Sequence, residues 1–161
     1  MLQGLMMHSP LLITSIMRFA ERNHARQQIV SVTSDNPRYR ATYAETFARV
    51  RRLANALDQL GLAPGDRVAT LAWNDHRHFE LYYAVSCSGR VCHTINPRLF
   101  NEQIAYIIKH ADDQLVFLDP LFVPLLEALQ DQLLSSQTGM AGICSKIASI
   151  HFAVRPAPNS P

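Results

Sequence analysis

The sequence predicts an α/β fold: a mostly parallel sheet of βαβ units with flanking helices. Three observations carry this. From residue 42 to 134, short apolar runs alternate with longer segments of helical periodicity. The apolar runs RVATLAW (67–73), VCHTI (91–95) and QLVFL (114–118) lack the polar alternation of a half-solvated strand, as expected when both sheet faces are covered. Each helical segment between them is long enough to carry the chain back over the sheet, so the strands pair in parallel through right-handed crossovers. A chain of 161 residues is one domain by length and large enough to bury a core.

The elements follow in order. Ser9 before Pro10 reads as a helix start, a cap followed by proline at the first helical position. Leu12, Ile16 and Phe19 share a face of that helix, which ends near Asn23. QQIVSV (27–32) reads as a short strand, Asp35-Asn36-Pro37 as a turn, and YRATY as an extended lead into the next element. In TYAETFARVRRLANALDQLG (42–61), Thr42 and Glu45 have the spacing of a capping box. Phe47, Val50, Ala54 and Leu57 form one buried stripe, with Arg49, Arg52 and Asp58 largely outside it. Gly61 stops the helix as a left-handed cap, and Pro64-Gly65-Asp66 turns the chain into RVATLAW.

Asn74 or Asp75 caps the next helix, HRHFELYYAVSCSG, whose Phe79, Leu81, Tyr82, Tyr83 and Val85 leave little polar face; Gly89 closes it. VCHTI is a strand stopped by Pro97. Asn101 opens a helix with Ile104, Ile107, Ile108 and Ala111 on one side. QLVFL is the next strand, and Phe122, Leu125, Leu126, Leu129 and Leu133 stripe a last helix. Beyond residue 134 the pattern weakens: residues 135–161 contain no Asp or Glu and end in a Pro-rich tail. The expected organisation is therefore an α/β portion over 1–134 and an irregular tail over 135–161.

Composition excludes several function classes. A net charge of +2 is too small to argue for nucleic acid or an anionic membrane. Arg49, Arg51 and Arg52 are the densest basic group and read as a solvated helix face. Cys87, Cys92 and Cys144 are odd in number and lack CxxC spacing, which fits free thiols in a reducing cytosol better than a disulfide framework or a zinc site. The apolar start MLQGLMMHSPLLITSIM has no basic leader or small-residue cleavage site, and no run reaches the length of a membrane span. A cytoplasmic location is the expectation.

Motifs with chemistry are few. No GxGxxG or GxxxxGK[ST] occurs. SSQTGMAGICSK (135–146) has hydroxyls, glycines and a terminal Lys146, but its spacing matches no phosphate loop and no strong strand leads into it. His76 and His78 lie about 200° apart on a helix and cannot share a metal. His93 in its strand reads as packed or hydrogen-bonded. Asp112-Asp113 reads as turn chemistry without the pocket that a paired acid needs. Tyr82 and Tyr83 read as core. Asn96-Pro97-Arg98 follows a strand's carboxyl end, where α/β folds bind ligands. Arg98 is placed either to meet an anion or to tie the loop to its helix, and the structural role is expected. No hydrolase elbow is present. The residues themselves assign no catalytic, cofactor-binding or metal site.

Taken together, the helix start TYAE, then RLANAL, LGLAPGDRVA, ELYYAV, INPRL and a helix ending in HADD resemble the N-terminal region of the acyl-CoA synthetases, AMP-forming ligases of the adenylating superfamily. HTINPRL and LAWN resemble the fatty-acyl-CoA ligase branch in particular. The resemblance runs from about residue 9 to about 134 and implies an incomplete N-terminal portion of the adenylating-enzyme large domain.

It further implies a parent activity that uses ATP, magnesium and coenzyme A. A fatty acid attacks ATP to give an acyl-adenylate and pyrophosphate, and the thiol of coenzyme A then displaces AMP. The family does this with a Ser/Thr/Gly-rich loop ending in Lys, an acidic motif that holds the ribose, and a lysine on a mobile C-terminal domain. None of the three maps onto this sequence. The expectation is thus a fragment inactive alone, without a cofactor of its own and with a family-unlike tail from a frameshift or a mispredicted 3′ end. The competing expectation is a non-catalytic interaction module that associates through an exposed sheet edge.

Overall fold

The computed structural model describes residues 8–33 and 36–134. In chain order the elements are α1 (Ile13–His24), β1 (Gln28–Ser31), β2 (Tyr39–Thr42), α2 (Tyr43–Gln59), β3 (Arg67–Leu71), α3 (His76–Cys87), β4 (Val91–Thr94), α4 (Asn101–Ala111) and β5 (Leu115–Leu118). A single 3-10 turn (Pro120–Phe122), α5 (Val123–Ala128) and α6 (Gln130–Leu134) follow. The described residues form two compact units that alternate along the sequence: those between 8 and 66 with 74–92, and residues 67–73 with 93–134.

The first unit packs α1, α2 and α3 with an antiparallel ribbon, β1 on β2, in register from Gln28 opposite Thr42 to Ser31 opposite Tyr39. Its core centres on Phe47, which is fully buried against Tyr43, Phe79 and Tyr83 with ring centroids 5.6, 6.5 and 5.4 Å away. Both ends of α2 are where the sequence puts them. The Glu45 N–H donates to Thr42 Oγ1 at 3.2 Å, and the Thr42 N–H donates back to Glu45 Oε2 at 2.8 Å. At the other end Gly61 takes φ 74°, its N–H donating to the Asp58 carbonyl while that of Leu62 donates to the Leu57 carbonyl. This pair of bonds is a Schellman stop. Thr42→Ala removes the N-terminal half of this arrangement and is expected to cost about 1 kcal/mol, read as a lower urea midpoint at unchanged slope.

The second unit contains the parallel sheet. The strand order is β4-β3-β5, with β3 and β5 parallel and in register from Val68 opposite Leu115 to Leu71 opposite Leu118. All four residues of β5 are buried, as are Val68 to Leu71, which accounts for the apolar runs. The link from β4 to β5 carries α4 past the central strand, and Ile104, Ala105 and Ile108 bury against Ala69, Leu71, Val116 and Leu118.

Four sequence expectations need correction. α1 begins at Ile13, not at Ser9 and Pro10: the Leu12 N–H donates to the Pro10 carbonyl at 3.1 Å, so proline closes a tight turn ahead of the helix. Leu12, Ile16 and Phe19 do share a face, but that face is exposed, and Met17 is the residue α1 buries. The last helix is broken into the 3-10 turn, α5 and α6. Pro124 has no N–H to return to the Pro120 carbonyl, so the helix restarts there. Its stripe is still the packed side, with Leu126, Leu129 and Leu133 buried. Finally, Arg49 is not on a solvated face: its Nε lies 2.8 Å from Oε1 of Glu80, which is 1% exposed.

Candidate functional site

The carboxyl ends of the parallel strands are where an open α/β sheet presents loops to a ligand. Three loops gather there within the second unit. Trp73 follows β3, Asn96-Pro97-Arg98 follows β4, and Asp119 follows β5. Two of these loops are each held by their own polar residue. Asn96 Oδ1 accepts from the Arg98 N–H at 3.0 Å, and Asp119 Oδ1 accepts from the Leu121 N–H at 3.0 Å. The Phe122 N–H donates to the Asp119 carbonyl at 2.8 Å, which sets the Phe122 ring 5.4 Å from that of Trp73. The Arg98 guanidinium lies 5.9 Å from the Trp73 ring centroid, at the outer reach of a cation–π contact.

Both readings of Arg98 therefore keep support. The side chain is exposed and aromatic-backed, and it has no ion pair among the described residues. Its backbone meanwhile ties the loop. Chemically this is a cation beside the Trp73 ring, which itself meets Phe122, and it suits positioning of an anionic or planar group.

The other flagged residues take structural places. His76 and His78 are both buried; His76 stacks on Tyr39 with centroids 3.5 Å apart, and His78 on Tyr82 at 4.6 Å. Asp75, not Asn74, caps α3, accepting from the N–H groups of Arg77 and His78 at 2.8 and 3.0 Å. Asp75, His76, His78 and Tyr82, with Ser31 and Phe79, line an open cavity of about 480 Å³ in the first unit. Tyr83 is half-buried beside Phe47, whereas Tyr82 is exposed rather than core. Cys87 and Cys92 are free thiols, and burial pushes Cys92 up to about 11, too high for a thiolate nucleophile at neutral pH. No group of three His, Cys, Asp or Glu able to hold a metal exists among the described residues. Ser135 to Lys146 and Cys144 lie outside them.

Asp113 is the residue that sequence reasoning misjudged. It is fully buried, and both its carboxylate oxygens lie 2.9 Å from Nδ1 of His93. Burial raises its pKa, opposed by the hydrogen bond and the proximity of His93. Asp112 alone is the turn residue, at φ 53°, with its carboxylate 3.0 Å from Arg67. No local signal marks it: Gln114 separates it from the apolar strand β5, and its partner His93 is twenty residues away. The His93–Asp113 pair sits at the amino end of β5, opposite the ligand-facing ends, and ties β4 to the α4–β5 turn.

A family model described as AMP-binding enzyme matches residues 17–153. The chain belongs to this family. The match extends past residue 134, where the sequence pattern weakens. The chain is 53% identical over 130 residues to the 3-methylmercaptopropionyl-CoA ligase of Ruegeria lacuscaerulensis, covering 81% of this chain and 24% of that protein. It is 48% identical over 130 residues to the medium-chain-fatty-acid–CoA ligase of Ectopseudomonas oleovorans, with the same coverage of 81% and 24%. Among solved structures, the N-terminal domain of FACL13 from Mycobacterium tuberculosis, with an inhibitor bound, superposes with a TM-score of 0.70. It shares 26% identity, over 82% of this chain and 32% of that one.

The chain thus spans about a quarter of the length of the curated relatives it matches. Its mixed α/β architecture and three-stranded parallel sheet are those of the N-terminal domains of acyl-CoA synthetases. No helix among the described residues is long and apolar enough to cross a membrane.

Proposed function

We propose that this chain is the opening portion of the large domain of an ATP-dependent fatty-acyl-CoA ligase, residues 1–134 being scaffold and the adenylating groups lying in sequence it does not contain. The single observation that carries this is the 53% identity over 130 residues to a CoA ligase of which the chain covers 24%. In the complete protein the first step joins the fatty-acid carboxylate to the α-phosphorus of ATP, with magnesium and cations offsetting the phosphate charge. Coenzyme A then displaces AMP. Such chemistry needs donors aimed at the phosphates and tight alignment of the attacking oxygen.

What the described residues offer is positioning. The loops after the strands bring Trp73, Arg98 and Phe122 together, and in the complete protein these side chains would form part of a pocket wall. They provide no phosphate cradle and no catalytic lysine. The 161-residue chain, incubated with ATP, magnesium, octanoate and labelled pyrophosphate, is expected to show no exchange of label into ATP, while a full-length relative does. Exchange above the buffer level overturns the assignment of inactivity.

A second reading, association through a strand edge, is favoured by Val30 and Val32, which stand 56% and 72% exposed at the ribbon formed by β1. Specific retention of the chain on an immobilised full-length relative, lost on Val30→Lys, supports it; passage straight through opposes it.

A further inference from the structure

Asp113 is completely buried, yet a single ring nitrogen is all that hydrogen-bonds its carboxylate. Both oxygens lie 2.9 Å from Nδ1 of His93, and no other donor reaches them among the described residues. A carboxylate has room for about four hydrogen bonds, so one N–H leaves a buried charge poorly compensated. The charged groups around it do not close the gap. Arg67 of β3 favours ionisation, but its guanidinium is engaged by Asp112, 3.0 Å from the carboxylate and 3.3 Å from the carbonyl. Asp112 adds a like charge one residue away. β5 brings only apolar side chains. The last turn of α4 carries Lys109 and His110, and His110 is exposed and stacked on Tyr106. Burial is the largest influence on Asp113 and raises its pKa; His93 and Arg67 pull it down, and Asp112 adds to the rise.

His93 is in a different position. Its side chain is 26% exposed although its Nδ1 faces an acid that is 0% exposed, so water meets the ring on the Nε2 side. Protons therefore reach the pair without the carboxylate moving. With one titrating proton, on either group, the pair carries no net charge, and its titration belongs to both residues together. Removing that proton leaves a net negative charge in the interior, held by one N–H. The sheet order β4-β3-β5 puts the central strand between the two residues, so the pair spans β3 from β4 to the α4–β5 turn. Beside it the Gln114 N–H donates to the Arg67 carbonyl at 2.8 Å, at the foot of the β3–β5 ladder.

We propose that His93 and Asp113 form a proton-operated lock: protonated, the pair ties β4 to the α4–β5 turn across β3, and deprotonated it releases that turn. An unfolded histidine gives up its proton at about pH 6.5. The folded pair keeps its proton to higher pH, because letting go creates the buried charge. Its contribution to stability is therefore complete below about pH 6.5 and is lost as pH rises through the folded release. The inference does not depend on the ligase reading, because opening of the turn is read without turnover.

The test is amide hydrogen exchange of the 161-residue chain at about pH 6 and about pH 8.5, corrected for intrinsic rates. Peptides covering 91–95 and 112–116 are expected to open several-fold more often at the higher pH, by at most about tenfold per pH unit. Peptides from α2, which contains no histidine, are expected to hold steady and so separate local release from global unfolding. His93→Asn keeps a neutral N–H where Nδ1 stands but cannot take up a proton, and it is expected to abolish the pH dependence in both segments. Asp113→Asn never charges and is expected to open less than the parent at the higher pH. Far-ultraviolet circular dichroism identical to the parent's shows that a variant folds; the parent's own profile decides the matter if one does not. The proposal is overturned if the parent's two segments open equally at both pH values or less at the higher one. It is equally overturned if α2 opens in step with them, or if His93→Asn keeps the parent's pH dependence.

Discussion

Phe47→Ala is expected to lower stability by about 3–5 kcal/mol, a large part of the roughly 5–15 kcal/mol that holds a domain folded. Phe47 is completely buried, and three aromatic rings from α2 and α3 surround it within 6.5 Å. Truncation removes the one fully buried ring of that cluster. Tyr43, Phe79 and Tyr83 cannot close on the void, because each is fixed on a helix whose ends are capped. The measurement is the urea midpoint, with Phe19→Ala as its control. Phe19 is the same residue type but 61% exposed, and its loss is expected to move the midpoint little. Equal shifts for the two variants contradict the assignment of Phe47 as the centre of the first unit's core.

Arg49→Ala is expected to cost about 3 kcal/mol at neutral pH, because it strands the Glu80 carboxylate in the interior. Glu80 is 1% exposed, Arg49 lies 2.8 Å from one of its oxygens, and the other oxygen has no hydrogen-bond partner. Burial raises the Glu80 pKa above its ordinary value of 4.5, against the pull of Arg49. The sign follows from that direction. A raised folded value means that folding favours the protonated acid. The associated stability is complete below the unfolded value and is lost as pH rises through the folded one. Without Arg49 the folded value moves higher still. The stability gap between parent and Arg49→Ala is therefore expected to narrow as pH falls from 7 toward 5, and the contribution of Asp113, raised in the same direction, cancels in the difference. A gap independent of pH overturns the assignment. Replacing Arg49 and Glu80 together by leucine is expected to restore much of the loss, since two apolar groups leave no charge behind.

The parts of this fold legible in the sequence are those set by local rules. The capping box at Thr42 and Glu45, the stop at Gly61, the turn at Gly65 and the buried strands β3 and β5 each depend on residues a few positions apart. What escaped depends on partners far along the chain. Arg49 and Glu80 are thirty-one residues apart, and His93 and Asp113 twenty. Nothing in the neighbourhood of either acid distinguishes a buried pair from a solvated one. Periodicity also finds an apolar stripe without saying what covers it: the stripes of α1 and α4 look alike in sequence, yet one faces outward and the other the sheet. For the site, the strand-end loop at Asn96 to Arg98 was legible from topology. The rings of Trp73 and Phe122 beside it were not, because three separate loops bring them together.

The alternation of the two units along the chain has a consequence for biosynthesis. β3 lies between two stretches of the first unit, and its partner β5 is encoded far downstream: Val68 meets Leu115. During translation the ribosome releases β3 roughly fifty residues before β5, an interval on the order of a few seconds at cellular elongation rates. For that time one side of an apolar strand has no neighbour, and the nascent chain needs either prompt chaperone cover or a slow start to collapse.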